Sequence, residues 1–516
     1  MRASGILLHI SSLPSPHGIG TMGAAAKDFV DFLVKAGQAY WQILPVCPTS
    51  YGDSPYQSFS TFAGNPYFID LDLLAKADLL QPEEYEAIDW ESTPDCVNYG
   101  ALYQKRYAVL HKACARLLAA PPADYADFLA KNAFWLPDYA LFMALKDAHN
   151  GVCWQQWEEP LRRREPETLA AARAKYAADI DFWQAVQYLF YTQWHDLKAY
   201  ANAKGIEIIG DLPIYVAEDS VDVWSCPQEF QLDENLVPTE VAGCPPDGFS
   251  ATGQLWGNPL FDWDAMAANG YAWWVRRIRH LCGIYDVLRI DHFRGFAGYY
   301  AIPYGDKTAE NGRWRTGPGY ALFATVKKEL GSPRIIAEDL GFLTDDVRAL
   351  LKECAYPGMK VLEFAFDSRD GGDYRPHSYP TNCIAYTGTH DNEPVDGWFG
   401  TALPDDIERA IQYLNLTKEE GMNWGMMRGI WSSVADLAVV QAQDVLGLGH
   451  EARMNTPATL GGNWCWRALP GAFTPELAQK LHDAMELYGR LPEEPAAEPD
   501  ETEKSEDAEK TVEPKT

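Results

Sequence analysis

Positive charge, paired cysteines and long apolar runs are all scarce in this chain of 516 residues. Asp and Glu number 73 against 43 Lys and Arg, a formal net charge of −30. That balance excludes the basic patches on which nucleic-acid binders depend, and it offers no attraction to an anionic membrane surface. No uninterrupted apolar run approaches the roughly 20 residues of a membrane-spanning helix, and no charged-then-apolar leader opens the chain. The 10 cysteines stand singly, without the Cys-x-x-Cys spacing of a zinc site or a redox dithiol. Reduced thiols and a cytoplasmic location are the matching expectations. No nucleic acid and no membrane is expected among the partners.

Apolar residues make up 47% of the chain, enough for a large core. The 18 tryptophans and 27 tyrosines are unusually many, and their flat amphipathic rings suit both core packing and substrates with one apolar and one hydroxylated face. The length fits a large α/β barrel with insertions, or two to three ordinary domains.

Periodicity orders the elements. Ser4–Ser11 reads as a first strand, Phe29, Phe32 and Leu33 recur at helical spacing, and Gly37 closes that helix as a C-cap. Ala39–Val46 is a second strand, so the start of the chain is a βαβ unit with a right-handed crossover. A tyrosine-rich loop then leads into a long stretch of helical periodicity, with helices expected at Ala101–Leu118, Phe134–His149 and Asp179–Ala203. Strands resume at Gly205–Tyr215, Tyr285–Phe293, Arg334–Gly341, Met359–Phe366 and Asn382–Asp391. Helices are expected between them at Tyr271–Cys282, Tyr320–Leu330 and Asp345–Cys354. Val434–Val440 is expected in a late apolar helix and Ala452–Thr459 as the last strand.

Alternation of this kind predicts an α/β fold, a (β/α)8 TIM barrel with helical insertions between barrel strands. A doubly wound open sheet would want a Gly-rich phosphate turn after the first strand, and Ser11-Ser-Leu-Pro-Ser-Pro16 is not one. The expected layout is a catalytic barrel over 1–490, a mainly helical inserted subdomain at about 60–200, a lid loop at about 245–256, and an acidic disordered tail at 491–516.

Four of the strands end in acids: Asp211, Asp291, Glu338 and Asp391. At one rim of a barrel they would share a mouth, and the repulsion between them needs a functional reason. On its strand Asp291 shares a face with Arg289, a cation expected to hold it ionised. A cluster of carboxylates can also hold magnesium or calcium, but Arg289 would then set a cation beside the metal, so no metal is expected. Glycosyl transfer instead requires one ionised carboxylate and one protonated acid flanking the scissile bond. Glu338, following an apolar strand and repelled by its neighbours, is the candidate whose pKa rises. Asp339, next along the strand, points to the other face and is structural.

Arg289-Ile-Asp-His-Phe293, Ala337-Glu-Asp-Leu-Gly341 and Thr387-Gly-Thr-His-Asp-Asn392 resemble the signature blocks of the α-amylase clan. Further blocks narrow the resemblance to glycoside hydrolase family 77, the 4-α-glucanotransferases or amylomaltases. These are Ser54-Pro-Tyr-Gln57, Gly64-Asn-Pro66, Gly210-Asp-Leu-Pro-Ile-Tyr-Val216, Pro245-Pro-Asp-Gly-Phe-Ser250, Gly253-Gln-Leu-Trp-Gly-Asn-Pro259 and Asn463-Trp464. The resemblance implies that Asp291 is the nucleophile, Glu338 the general acid/base and Asp391 the transition-state stabiliser, with Arg289 holding the nucleophile. It further implies that Asp211, Tyr56, His390 and Trp256 line the subsites and that Asn463 adds a hydrogen bond. Asp247 and Phe249 would reach over the sugar from a mobile lid, and His292 is assigned to substrate binding. The implied partners are α-1,4-glucans, maltooligosaccharides and glucose, with no cofactor. The implied reaction is a retaining transfer to a 4-hydroxyl, with the two carboxyl groups about 5–5.5 Å apart. An α-1,4-glucan hydrolase using the same triad is the alternative, and a non-catalytic glucan-binding barrel is the more distant rival.

Overall fold

Among the described residues, twelve strands form two sheets. In chain order they are β1 (Ala3–Leu7), β2 (Tyr40–Gln42), β3 (Glu207–Leu212), β4 (Glu240–Cys244), β5 (Gln254–Pro259), β6 (Val287–Ile290), β7 (Gly298–Pro303), β8 (Arg313–Thr316), β9 (Ile335–Ala337), β10 (Gly358–Val361), β11 (Cys383–Tyr386) and β12 (Leu437–Gln441). The computed structural model describes residues 2–246, 250–341, 343–369 and 374–493. The expectations for Asp247, Phe249 and residues 494–516 therefore lie outside the described residues.

Eight of these strands run parallel in the order β10-β11-β12-β1-β2-β3-β6-β9. The two end strands approach one another, and Ala337 N–H donates to Pro357 O across the seam at 2.9 Å. With helices outside, this is a nearly closed (β/α)8 barrel. The strands are buried on both faces, which is why β9, β11 and the first four residues of β12 read as short unbroken apolar runs.

That same property corrects two expectations. Residues 437–440 of the expected late helix belong to β12, which pairs with β1 on one side and β11 on the other. A short run such as Leu437-Ala-Val-Val-Gln441 carries no period, so periodicity cannot separate a buried strand from a buried helix. Ala452–Thr459 is no strand; a 3-10 turn at His450–Ala452 opens a loop that folds back over the barrel mouth. The other strands are shorter than read, because their C-terminal residues turn off into the mouth. Met359–Phe366, for example, is strand only to Val361 and a 3-10 helix from Leu362.

Between β2 and β3 the chain is helical, with main elements Tyr99–Ala119, Leu136–Ala148 and Ala177–Ala203. Asn98 caps the first of these, its side chain accepting from Ala101 N. Gln187, on the last, brackets Gly64 by accepting its N–H at 2.7 Å and donating to its O at 2.9 Å. A Cβ on Gly64 would lie 2.0 Å from Phe190, so only glycine allows this approach. The second sheet was not foreseen: it is antiparallel, ordered β5-β4-β7-β8, and flanks the barrel mouth. Its β5 contains Gln254–Trp256, the end of the segment expected to be a loop. Among the described residues no helix is long and apolar enough to cross a membrane.

Candidate active site

Three main-chain hydrogen bonds lace the ends of β3, β6 and β9 together beyond the ladders. Asp291 N–H donates to Leu212 O, Glu338 N–H to Ile290 O and Phe293 N–H to Glu338 O, each at 2.9 Å. These bonds hold Asp291 and Glu338 in fixed relation on neighbouring strands. Gly210 supports the same corner: a Cβ there would meet the Tyr285 ring at 2.2 Å, so glycine lets Tyr285 pack flat against β3 next to Asp211.

Arg289 is 3% exposed and divides its guanidinium between two acids. Its Nη1 donates to Asp211 Oδ2 at 2.6 Å, and its Nη2 lies 3.1 Å from Asp291 Oδ1. Asp211 Oδ2 also accepts the Tyr56 hydroxyl at 2.7 Å. Replacing Arg289 by methionine is expected to cost about 3–5 kcal/mol, because it leaves the buried Asp211 and the partly buried Asp291 without a counter-charge. A urea unfolding curve checks this, and an unchanged midpoint would show that the acids are solvated after all.

The electrostatics correct a simpler expectation. Burial pushes the Asp291 carboxyl well above the usual carboxylate range; Arg289 opposes this, while Asp211, Glu338 and Asp391 add repulsion. Arg289 therefore does not act on Asp291 alone, and its shorter contact goes to Asp211. Burial likewise raises Glu338, with Asp339 adding repulsion and Arg289 opposing, together with the N–H groups of Leu340 and His292. The Asp291 side chain keeps 29% of its surface in solvent, so water relieves it more than it relieves the buried Glu338. Each acid's charge disfavours ionisation of the other, so the two titrate as a coupled pair.

Glu338 accepts two main-chain bonds, Oε2 from His292 N–H and Oε1 from Leu340 N–H, both at 2.7 Å. The first is possible because the chain leaves β6 abruptly: His292 adopts a left-handed conformation at φ 52°. That turn swings the imidazole against Trp256, ring to ring at 4.8 Å and 89°. His292 is thus brought to the mouth by the bend and not by strand alternation. Asp339 takes the other direction, its Oδ1 accepting Met359 N–H at 2.6 Å.

Across the mouth, Asp391 is 46% exposed at its side chain. Asn455 Nδ2 donates to its Oδ1 at 2.7 Å, and His390 Nε2 lies 3.4 Å from the same oxygen. His390 stacks on Tyr56 at 5.1 Å and 15°, and Trp464 leans on both rings at 5.8 Å. Burial lowers the His390 pKa and favours the neutral ring. Asn463 is committed within its own turn: it accepts Thr456 N–H and donates to Thr459 O and Oγ1.

The structure thus gathers Tyr56, Asp211, Trp256, Arg289, Asp291, His292, Glu338, His390 and Asp391 around one mouth. Sequence reasoning missed Asn455 and gave no role to Trp464, whose φ of 64° lets its ring turn inward. Neither follows a strand or carries charge; Trp464 entered only as half of the Asn463-Trp464 block, and Asn455 gave no signal. Among the described residues no group of three or more His, Cys, Asp or Glu side chains is arranged to hold a metal ion.

The arrangement can attack a carbon with one carboxylate, deliver a proton with a second and set a third charge beside the reacting ring. The profile of the Glyco_hydro_77 family, described as 4-alpha-glucanotransferase, matches residues 8–471. The 4-alpha-glucanotransferase of Clostridium butyricum is 50% identical over 485 residues, covering 94% of this chain and all of that protein. That of Thermus thermophilus is 47% identical over 501 residues, 95% of this chain and 99% of that one. Among solved structures, the amylomaltase from Streptococcus agalactiae in complex with acarbose is 43% identical with a TM-score of 0.93, covering 95% of this chain and 100% of that one.

Proposed function

Because the chain belongs to the Glyco_hydro_77 family of 4-alpha-glucanotransferases, we propose that Asp291, Glu338 and Asp391 carry out its transfer reaction. The protein is a 4-alpha-glucanotransferase: it cleaves an α-1,4-glucan and joins the released segment to the 4-hydroxyl of an acceptor. The substrates we assign are maltooligosaccharides and longer α-1,4-glucans, with glucose as the smallest acceptor.

In the first half, the proton shared by the acid pair resides on Glu338 and passes to the glycosidic oxygen. Asp291, facing the Arg289 guanidinium at 3.1 Å, is the member that carries the charge, and it bonds to the anomeric carbon as the C–O bond breaks. In the second half, Glu338 takes the proton of the acceptor 4-hydroxyl, and that oxygen displaces Asp291. Asp391 offsets the positive charge that the ring develops in both halves. The two carboxyl groups are expected about 5–5.5 Å apart with substrate bound.

The observation that carries this reading is the pairing of Asp291 and Glu338 on laced strand ends, one against a guanidinium and the other against main-chain N–H groups. Tyr56, His390 and Trp464 supply an aromatic wall on which an acceptor sugar can displace water. Incubation with maltotriose tests the assignment. A ladder of longer maltooligosaccharides plus glucose, with no net rise in reducing ends, is expected. Short products alone, with reducing ends rising, would favour the hydrolase.

A further inference from the structure

We propose that Asn455 is a positioning residue for this reaction, fixing the stabilising carboxylate of Asp391 with a donor that carries no charge. The inference rests on the reading of Asp391 given above. Almost half of the Asp391 side chain is in solvent, and its other close side-chain neighbour, His390, stands at 3.4 Å, so few contacts choose its rotamer. Asn455 Nδ2 pins Oδ1 at 2.7 Å, while Oδ2 has no donor among the described residues and is left for the sugar.

Asn455 is itself held by the segment it serves. Its N–H donates to His390 O at 3.1 Å. Arg453, two residues earlier, donates Nη2 to Asp391 O at 2.7 Å and Nε to Asn455 O at 2.8 Å. The charge of Arg453 is spent on the buried Glu393, at 2.6 Å. The loop 453–455 and the segment 390–393 that follows β11 are thereby joined at four points, and the cation of Arg453 among them is already paired.

The choice of an amide has a physical reason. Asp291 must be aimed and ionised to form a bond, and a guanidinium at 3.1 Å serves both needs. Asp391 forms no bond; it acts through its field on a positively charged ring. A cation hydrogen-bonded to it would cancel that field, whereas an amide N–H orients the carboxylate and leaves its charge in place. Its other neighbour, His390, is neutral by burial and cancels nothing either.

The test uses the full chain with Asn455→Ala, Asn455→Asp and Asp391→Asn, assayed on maltotriose and by calorimetric binding of maltotriose and of acarbose, whose amine is cationic. Asn455→Ala is expected to lower kcat by about 10–100-fold with KM changed less than about threefold. It should weaken acarbose at least about tenfold and leave maltotriose affinity nearly unchanged. Asn455→Asp, an isosteric acceptor facing a carboxylate, should be less active than Asn455→Ala. A role in packing alone predicts the reverse order, which overturns the proposal, as does Asn455→Ala with unchanged kcat. An active Asp391→Asn would instead remove the premise; an inactive one beside an unimpaired Asn455→Ala sinks this inference alone. Thermal melts of each variant keep misfolding from passing as support.

Discussion

Asp291→Asn is expected to reduce transfer from maltotriose by roughly 10^4–10^6-fold, the range seen when a covalent nucleophile is removed. The amide has the same shape but no charge and cannot form an ester with the anomeric carbon. The fold should survive. Arg289 keeps its shorter bond to Asp211 at 2.6 Å, and the loss of the Asp291 charge removes its repulsion with Asp211, Glu338 and Asp391. The expected signature is therefore a dead enzyme whose melting temperature is unchanged or higher. Steady-state transfer together with a thermal melt checks both halves. More than a few per cent of residual turnover would refute the assignment. A melting temperature that fell sharply would mean that Arg289 depends on Asp291 more than on Asp211.

Glu338→Gln is expected to be almost as severe on maltotriose, about 10^3-fold or more, but to recover with a different donor. An α-maltosyl fluoride has a leaving group that needs no proton, so Asp291 can form its ester without Glu338. The first half-reaction should then run near the wild-type rate while the second, which needs the base, stays slow. Failure of the fluoride to form the glycosyl-enzyme would show that Glu338 does more than carry a proton. The substitution also carries a structural cost. Both Glu338 oxygens accept main-chain N–H groups, from His292 and Leu340. A glutamine can satisfy only one of them and turns its NH2 towards the other, at about 1–3 kcal/mol for the unpaired buried donor. The pH profile separates this cost from the chemistry. With Glu338 raised by burial, the wild type should lose kcat/KM as pH rises through the upper apparent pKa of the pair. That alkaline limb should vanish in Glu338→Gln assayed with the fluoride.

Much of this site was legible as a pattern of strand ends. Apolar strands that finish in Asp211, Asp291, Glu338 and Asp391 cannot bury those charges for nothing, and a parallel barrel brings all its C-terminal strand ends to one rim. The resemblance then attached roles to the individual acids. Boundaries are less legible because a strand buried on both faces has no alternation, so the expected helix at Val434–Val440 overlaps β12, which pairs with β1 and β11. The antiparallel sheet of β4, β5, β7 and β8 gave no such signal, because its two hairpins lie far apart in the chain and the start of β5 falls in the segment expected to be a lid loop.

The sequence by itself determined the barrel and the gathering of acids at its strand ends, because these follow from residue types recurring at strand ends, and the resemblance supplied the reaction class. Only the tertiary structure decided how the charges are apportioned. Arg289 divides itself between Asp211 and Asp291, and Glu338 is tied to two main-chain N–H groups by a left-handed turn at His292. Asp391, 64 positions from its partner, is set by the amide of Asn455. Electrostatic and hydrogen-bond energies depend on distances between atoms, and separation along a chain does not fix those distances until the chain has folded.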